Sequence, residues 1–356
     1  MGIIQRQSAL NTIVSTIGVA FGYVNIVLLF PNFFTASEVG LVRAMTFIAA
    51  IYAQSSALGS TQIILKYFPY YKDRENQHQG IFFWSLILSF IGFILFSVLF
   101  VLLQPVIVDY FLVKSPLLIE YLYYIIPLAF FTLMFNVIEA YLRSLKKTVV
   151  PSIFRELLNR VLISLCIALF AFGFVDFKQF VQLYIGVVLA VFISSILYSV
   201  HIKEFFFKPI MSFFHVYKLV ELIRYGIYFV FSNTTTMITT YVDSLMIAAM
   251  LGLREVGIYT TAYFITSVIM VPGRALYKIT YPFVAEYWKS EDLKSMGILY
   301  KKVAMNNLIF GLIIFIGIWI NIDNIFALVP SEYSEGVWVI FFIGIGRMMD
   351  MVTGIN

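Results

Sequence analysis

Long apolar runs follow one another almost without interruption from Ser8 to the end of the chain, and the charges fall between them. The runs are continuous rather than alternating. That predicts helices, and it excludes the two-residue period of a membrane-barrel strand. Ten spans are predicted at 8–34, 41–63, 80–103, 118–140, 150–172, 179–200, 225–250, 257–283, 302–322 and 335–354. Each approaches or exceeds the ~20 residues that cross a ~30 Å hydrocarbon core. With 61% hydrophobic and only 12% charged residues, a water-soluble core of this size is excluded. The expected fold class is an all-α integral membrane protein with about ten transmembrane helices.

The net charge of +5 gains its meaning from where the cations sit. Connections on the N-terminal side of the membrane hold seventeen Lys and Arg, whereas the opposite side holds only Arg43, Lys114, Lys178 and Arg254. By the positive-inside rule the N-terminus is predicted to be cytoplasmic. Basic charge here reports topology, and no nucleic-acid partner is expected. The first apolar run is too long, and too polar at Asn11, Thr12, Ser15 and Thr16, for a cleaved signal peptide. The single cysteine, Cys166, forms no internal disulfide or thiolate metal site. His78, His201 and His215 lie far apart, so neither a metal nor a resident cofactor is expected. Gly344-Ile-Gly346 is an incomplete nucleotide fingerprint inside an apolar run and carries no weight.

The connections are short, which leaves no extramembrane domain for a catalytic site; an enzyme is not expected. The longest, 201–224, mixes Phe205, Phe206, Phe207, Phe213, Phe214 and Tyr217 with Lys203, Lys208, Lys218 and His215. It reads as an amphipathic interfacial helix broken at Pro209. It separates an N-terminal six-helix lobe, 1–200, from a C-terminal lobe, 225–356. Glu38-Val39-Gly40-Leu41 recurs as Glu255-Val256-Gly257-Ile258, 217 residues on. An offset of six helices keeps both copies in one orientation, which makes them parallel repeats, a known transporter architecture. The second copy holds only helices 7 to 10, so an incomplete second lobe, and a chain that continues further, are expected.

Ionisable residues inside spans are costly and by default mark a pathway or cavity. In helix 7, Ser232, Thr236, Thr239 or Thr240, and Asp243 share one face beside Asn233, Thr234 and Thr235. That face is expected to line a cavity, interhelical hydrogen bonding being the other reading. Arg274 and Lys278 stand one turn apart after Pro272-Gly273 and together would grip an anion such as a diphosphate. Lys278 is also placed to snorkel to the headgroups. Arg43 is either an interface anchor or a cavity cation. Arg347 and Asp350 are expected to neutralise each other as an i, i+3 pair, while still counting among cavity candidates. Glu139 is read as an interfacial carboxylate beside Arg143, leaving the N-terminal lobe without a deep carboxylate.

The stretches Asp243-Ser-Leu-Met-Ile, Leu251-Gly252 and Glu255-Val-Gly-Ile-Tyr259 resemble helices 7 and 8 of bacterial polysaccharide flippases. These are the Wzx-type O-antigen and capsule exporters of the multidrug/oligosaccharidyl-lipid/polysaccharide (MOP) superfamily. Phe34-Thr-Ala-Ser-Glu38-Val-Gly40-Leu, Tyr67-Phe-Pro-Tyr-Tyr71-Lys and Tyr281-Pro-Phe…Glu286-Tyr-Trp-Lys are similar to other helix ends of that family. The resemblance implies flipping of an undecaprenyl-diphosphate-linked oligosaccharide across the bacterial inner membrane by alternating access. The implied partners are the lipid-linked oligosaccharide, membrane lipids and other polysaccharide-assembly proteins. Arg274, Arg43 and Lys278 would hold the diphosphate. Ser15 in helix 1, and Asn233, Thr236 and Thr240 in helix 7, would face the sugar, with Asp243 coupling to a proton or sodium ion. Two rivals stand beside this: a cation-coupled multidrug antiporter of the same superfamily, and a membrane polysaccharide polymerase or ligase. The first needs acidic residues in the N-terminal cavity, and the second a sizeable outer loop.

Overall fold

The computed structural model describes residues 3–353, and every regular element among them is helical. The chain makes ten helical passes. α1 runs through Ile3–Tyr23, a π-helical stretch Val24–Leu29 and Phe30–Phe33. The second pass is broken into α2, Ala36–Ser56, and α3, Ser60–Tyr71. Then come α4 (Ile81–Leu102), α5 (Ile125–Ser144), and α6, built from Val149–Ile153, a π-helical turn Phe154–Leu158 and Asn159–Ala171. α7 is Phe177–His201 and α8 is Leu219–Met250. The eighth pass joins α9 (Leu253–Thr266) to α10 (Val271–Lys289) through a 3-10 turn at Ser267–Met270. α11 (Leu293–Ile320) and α12 (Val337–Thr353) complete the described chain. Among the described residues, eight helices are long and apolar enough to span a bilayer on their own.

The repeat is visible in the element ends. Helix breaks between Phe33 and Ala36, and between Met250 and Leu253, are 217 residues apart at both edges. Because the second pass begins at Ala36, Arg43 lies two turns inside it rather than at its start. The predicted interfacial helix is not continuous. Within 201–218 the structure forms only the short helix Phe213–Val216, and the rest is turn and irregular chain. Part of its aromatic set turns inward instead: Phe213 is buried against Tyr71 and Phe205 packs on Phe82, while Phe207 and Phe214 stay exposed. Burying these rings in an existing core removes more apolar surface than laying them on an interface.

Contacts group the chain into two compact units. One holds the residues up to Asn25 with Ser37–Val256; the other holds Ile26–Ala36 with the chain from Gly257 onward. The boundary follows α8 rather than the 201–224 connection, because α8 packs on α3. In the first unit the core is aromatic: Phe82 stacks on Tyr141 at 4.5 Å between centroids, and Phe68 meets the same ring edge-on. Small residues let helices close up around it. Ser60 Oγ lies 2.6 Å from Ser89 Oγ, and a Cβ on Gly92 would fall on the Ser56 carbonyl. At the α3–α8 crossing the two backbones touch: a Cβ on Gly59 would sit 2.4 Å from Gly226 Cα. Such close approach is how helices associate where lipid supplies no hydrophobic drive. In the second unit the buried Asn307 amide and the Tyr277 hydroxyl both donate to the Met351 carbonyl, each at 2.6 Å. Gly273 and Gly311 leave room there for the Met351 side chain.

The connection before α4 is held by a left-handed turn of three non-glycine residues, Gln77, His78 and Gln79, closed by Gly80. Each non-glycine residue in that region costs ~1–2 kcal/mol, so neighbours must over-determine it. They do. Asp73 accepts from the Asn76 amide N–H and side chain and from Gln79. His78 is buried, and its Nδ1 accepts from the Asp73 N–H at 3.1 Å. Its Nε2 therefore carries the proton and donates to Glu204 at 3.0 Å, and Arg74 holds the other Glu204 oxygen at 3.1 Å.

Two outcomes follow from these junctions. Gly59→Ala adds a backbone clash to a φ of +76° and should destabilise by at least ~2 kcal/mol. At Gly226 the contacts are looser, 3.0 Å to the Leu58 carbonyl. The helix-propensity gain of ~1 kcal/mol then offsets much of the strain, so Gly226→Ala should be near neutral. Thermal unfolding in detergent ranks the two. The Asp73 carboxyl is held below the usual carboxylate range, first by the Asn76 side chain and then by the Asn76 N–H. Its contribution is complete above the ordinary carboxylate pKa and is lost as pH falls through the lowered folded value. Amide exchange at 76–80 should therefore accelerate only below that range, and Asp73→Ala should accelerate it at neutral pH.

Candidate functional site

α8 is the helix on which polar chemistry collects. At 100° per residue, Arg224, Tyr228, Ser232, Thr235, Thr239 and Asp243 fall in a sector about 100° wide, and all are exposed. From Arg224 to Asp243 the rise is ~28 Å, close to the hydrocarbon thickness. The Thr236, Thr239 and Thr240 hydroxyls donate to carbonyls one turn back in the same helix, at 2.7–2.9 Å. Their protons are thus used internally, and their lone pairs remain as acceptors. α8 is not among the eight helices apolar enough to cross a bilayer alone. An exposed polar face of this length, where a helix does lie in a membrane, requires water or a polar ligand beside it rather than lipid tails. The opposite side of α8 is the one that packs. Thr234 Oγ1 meets Ser55 Oγ at 3.2 Å, and Tyr241 stacks on Phe47 at 4.5 Å.

At the basic end of this track, α3 and α8 border an open pocket of about 560 Å³ lined by Lys66, Tyr67, Glu221, Arg224, Tyr225, Tyr228 and Phe229. Lys66 Nζ stands 3.9 Å above the Tyr225 ring and 5.1 Å from that of Tyr67. Neither Lys66 nor Arg224 forms an ion pair among the described residues. Tyr217 donates to Glu221, and that hydrogen bond holds its phenol above the ordinary tyrosine range. Two cations and one carboxylate leave the chamber net positive, with aromatic faces around it. Such a lining suits an anion joined to a sugar. Charge counting treats Lys66 and Arg224 as topology signals; the cue to the chamber is their interleaving with Tyr67, Tyr225, Tyr228 and Phe229.

The residues proposed from sequence are dispersed. In the first unit, Asn233 is half-buried on α8, Ser15 half-buried on α1, and Arg43 half-buried on α2. In the second unit, Arg274 is exposed on α10; the Lys278 side chain lies outside the described residues. Arg347 does not pair with Asp350. Its guanidinium lies 4.4 Å over the Tyr263 ring, a contact in the partly buried α9–α12 region that turns it away from the exposed carboxylate.

The N-terminal carboxylates also differ from expectation. Glu139 is buried and pairs with Arg155, not Arg143, while the Asn136 side chain accepts from the same guanidinium at 2.7 Å. Glu156 pairs with Arg160 at 2.8 Å and covers Gly18 of α1. Beside them Ser164 donates to Asn25, which donates to the Arg160 carbonyl. The first unit therefore does contain carboxylates within its helices. Glu139 and Glu156 are each paired with an arginine, Arg155 from within the π-helical turn of α6 and Arg160 from just after it, Arg155 remaining about half exposed.

The architecture is that of MOP-superfamily transporters. A multidrug-resistance MATE transporter of that superfamily, in its inward-facing conformation, superimposes with a TM-score of 0.65 at 17% identity, over 97% of this chain and 80% of that one. A MOP-superfamily transporter from Pyrococcus furiosus, described as having a binding pocket of reverse polarity, gives 0.58 at 15% identity over 98% and 81%. An outward-facing MATE structure gives 0.54 at 16% over 99% and 80%. No curated protein matches the chain. Residues 4–288 match the polysaccharide biosynthesis protein family, and the chain belongs to that family. It is a multi-pass membrane protein of transporter fold.

Removing Arg155 would strand the Glu139 charge. Arg155 is partly exposed, so the cost is below the 3–5 kcal/mol of a fully buried pair, about 2 kcal/mol. Arg155→Ala should lower thermal stability by that amount, and the double change Glu139→Gln with Arg155→Met should restore most of it.

Proposed function

We propose that this protein flips a polyisoprenyl-diphosphate-linked oligosaccharide across the bacterial inner membrane, loading it from the cytoplasmic face. The observation that carries this reading is the cationic, aromatic chamber at the basic end of a membrane-long polar track, in a chain of the polysaccharide biosynthesis family. Lys66 and Arg224 meet the diphosphate, Arg as the bidentate partner. Tyr67, Tyr225 and Tyr228 pack against sugar rings. The acceptors at Ser232, Thr236, Thr239 and Thr240 receive sugar hydroxyls along α8. Arg43 and Ser15, in the same unit, are further contacts for this substrate. Arg274 and Lys278 are anion-holding groups of the second unit taken by itself, and Asp243 binds the coupling proton or sodium ion. Alternating access of the two lobes, with the N-terminus in the cytoplasm, carries the cargo outward.

A multidrug antiporter would need unpaired carboxylates for cationic drugs. The inward carboxylates Glu139 and Glu156 are each occupied by an arginine. Asp243, at the far end of the track from Lys66 and Arg224, is the one assigned to the coupling ion, a division that favours an anionic cargo at the basic end. The test is complementation of a flippase-deleted strain, with assay of lipid-linked oligosaccharide trapped in the inner leaflet. A charge-assisted contact to phosphate is worth ~1.5–3 kcal/mol. Arg224→Ala and Arg274→Ala should therefore each cut transport about tenfold or more at unchanged protein level, and Lys66→Ala somewhat less. Full surface polysaccharide in the Lys66/Arg224 double variant would sink the chamber's role. Dye efflux without complementation would favour the antiporter.

A further inference from the structure

α8 has two opposite faces, and the second is as specialised as the first. Leu219, Leu222, Ile223, Ile227 and Val230 fall on the side facing away from the polar track. Together with Leu58 and Ile63 and, on α4, Trp84, Leu88 and Ile91, they bound an apolar crevice of about 390 Å³. That volume is within the ~300–1,000 Å³ range of ligand sites. Ile91, Ile223 and Ile227 remain about half exposed, so the crevice is open at its rim. Its inner wall is fixed: the Trp84 indole N–H donates to the Ile210 carbonyl at 3.0 Å.

α8 borders both the crevice and the cationic pocket, and α3 touches both, giving Lys66 and Tyr67 to the pocket and Ile63 to the crevice, whose other wall is α4. Ile63 and Leu222, both buried, line the crevice where it meets the α3–α8 contact, and that contact is closed by the Gly59–Gly226 backbone crossing. A ligand that fits both compartments at once has an anionic, ring-bearing head and a long hydrocarbon chain. We infer that the crevice seats the isoprenoid chain of the transported lipid while its diphosphate sugar occupies the chamber, the α3–α8 seam parting to let the molecule straddle it. This rests on the flippase reading and adds where the chain resides. The side-chain-free glycine crossing serves as the pivot, and Ile63 with Leu222 as the plug. A second apolar pocket of about 370 Å³, between α4, α5 and α7 and lined by Phe90, Met134 and Phe192, has no cationic neighbour in its lining. It serves as an internal control.

The test uses the full chain in proteoliposomes, with Trp288→Phe, Trp319→Phe and Trp338→Phe leaving Trp84 as the sole tryptophan. Brominated phospholipid should quench Trp84, and a small mole fraction of undecaprenyl diphosphate should restore most of the emission. Farnesyl diphosphate, with the same head and a short chain, should restore several-fold less. Ile227→Phe, which fills the crevice, should abolish the recovery. A tryptophan placed at the control pocket by Phe90→Trp, with Trp84→Phe, should stay quenched throughout. Quenching without recovery would mean that ordinary acyl chains alone fill the crevice, and would overturn the inference. Recovery equal at Trp84 and in the Phe90→Trp chain would overturn it too. A second measurement addresses the seam: the double change Ile63→Cys with Leu222→Cys, once oxidised, should block transport reversibly by reductant, and unhindered transport in the cross-linked protein would refute the parting. Failure of the flippase reading looks different: Trp84 recovers with undecaprenyl diphosphate, yet the flippase-deleted strain is not complemented.

Discussion

An unpaired N–H or C=O in hydrocarbon costs several kcal/mol, and this chain spends most of its length where water cannot repair the loss. Helices are the solution that satisfies each segment from within, and the rest of the structure answers the problems they create. Apolar side chains gain nothing by leaving lipid for one another, so packing has to come from close backbone approach. Serines and glycines supply it at Ser60–Ser89, at Gly92 on the Ser56 carbonyl, and at Gly59 on Gly226. In the second unit Asn307 and Tyr277 tie three helices together through one carbonyl, that of Met351.

The same constraint governs charge. Glu139 and Glu156 sit within helices with their charge met by Arg155 and Arg160, which lie in and just after the π-helical turn of α6. Lys66 and Arg224, by contrast, form no ion pair among the described residues and face a cavity walled by rings. Paired charge belongs to the scaffold, and the positive charge at Lys66 and Arg224 is what the proposed function assigns to an anionic cargo. On α8 the threonines use the helix's own carbonyls to meet their donor requirement. The face is thereby stable when empty and still able to accept hydrogen bonds.

Polar and apolar functions adjoin on a single helix. Arg224 and Tyr228 line the cationic pocket, and Ile223 and Ile227, about 100° round the helix from them, line the apolar crevice. A lipid-linked sugar has the same division, which gives the α3–α8 pair its interest beyond packing. The neighbouring connection is held by the His78–Glu204–Arg74 cluster, so the elements flanking α3 are rigid while the α3–α8 contact itself is a narrow, glycine-lined crossing.

The sequence alone determined the ten passes, the membrane setting, the 217-residue repeat and the polar face of α8, because each depends on residue order within one helix or between tandem copies. Hydropathy and helical period are local quantities and survive without a fold. Which charges pair was settled only in three dimensions. Glu139 found Arg155 rather than Arg143, and Arg347 found Tyr263 rather than Asp350, since partners on different helices compete with those one turn away. The 201–218 segment had the pattern of an interfacial helix, yet the aromatic core of the first unit took its rings. The chamber of Lys66 and Arg224 was illegible for the same reason: residues more than 150 positions apart become one site only when α3 crosses α8 at two glycines.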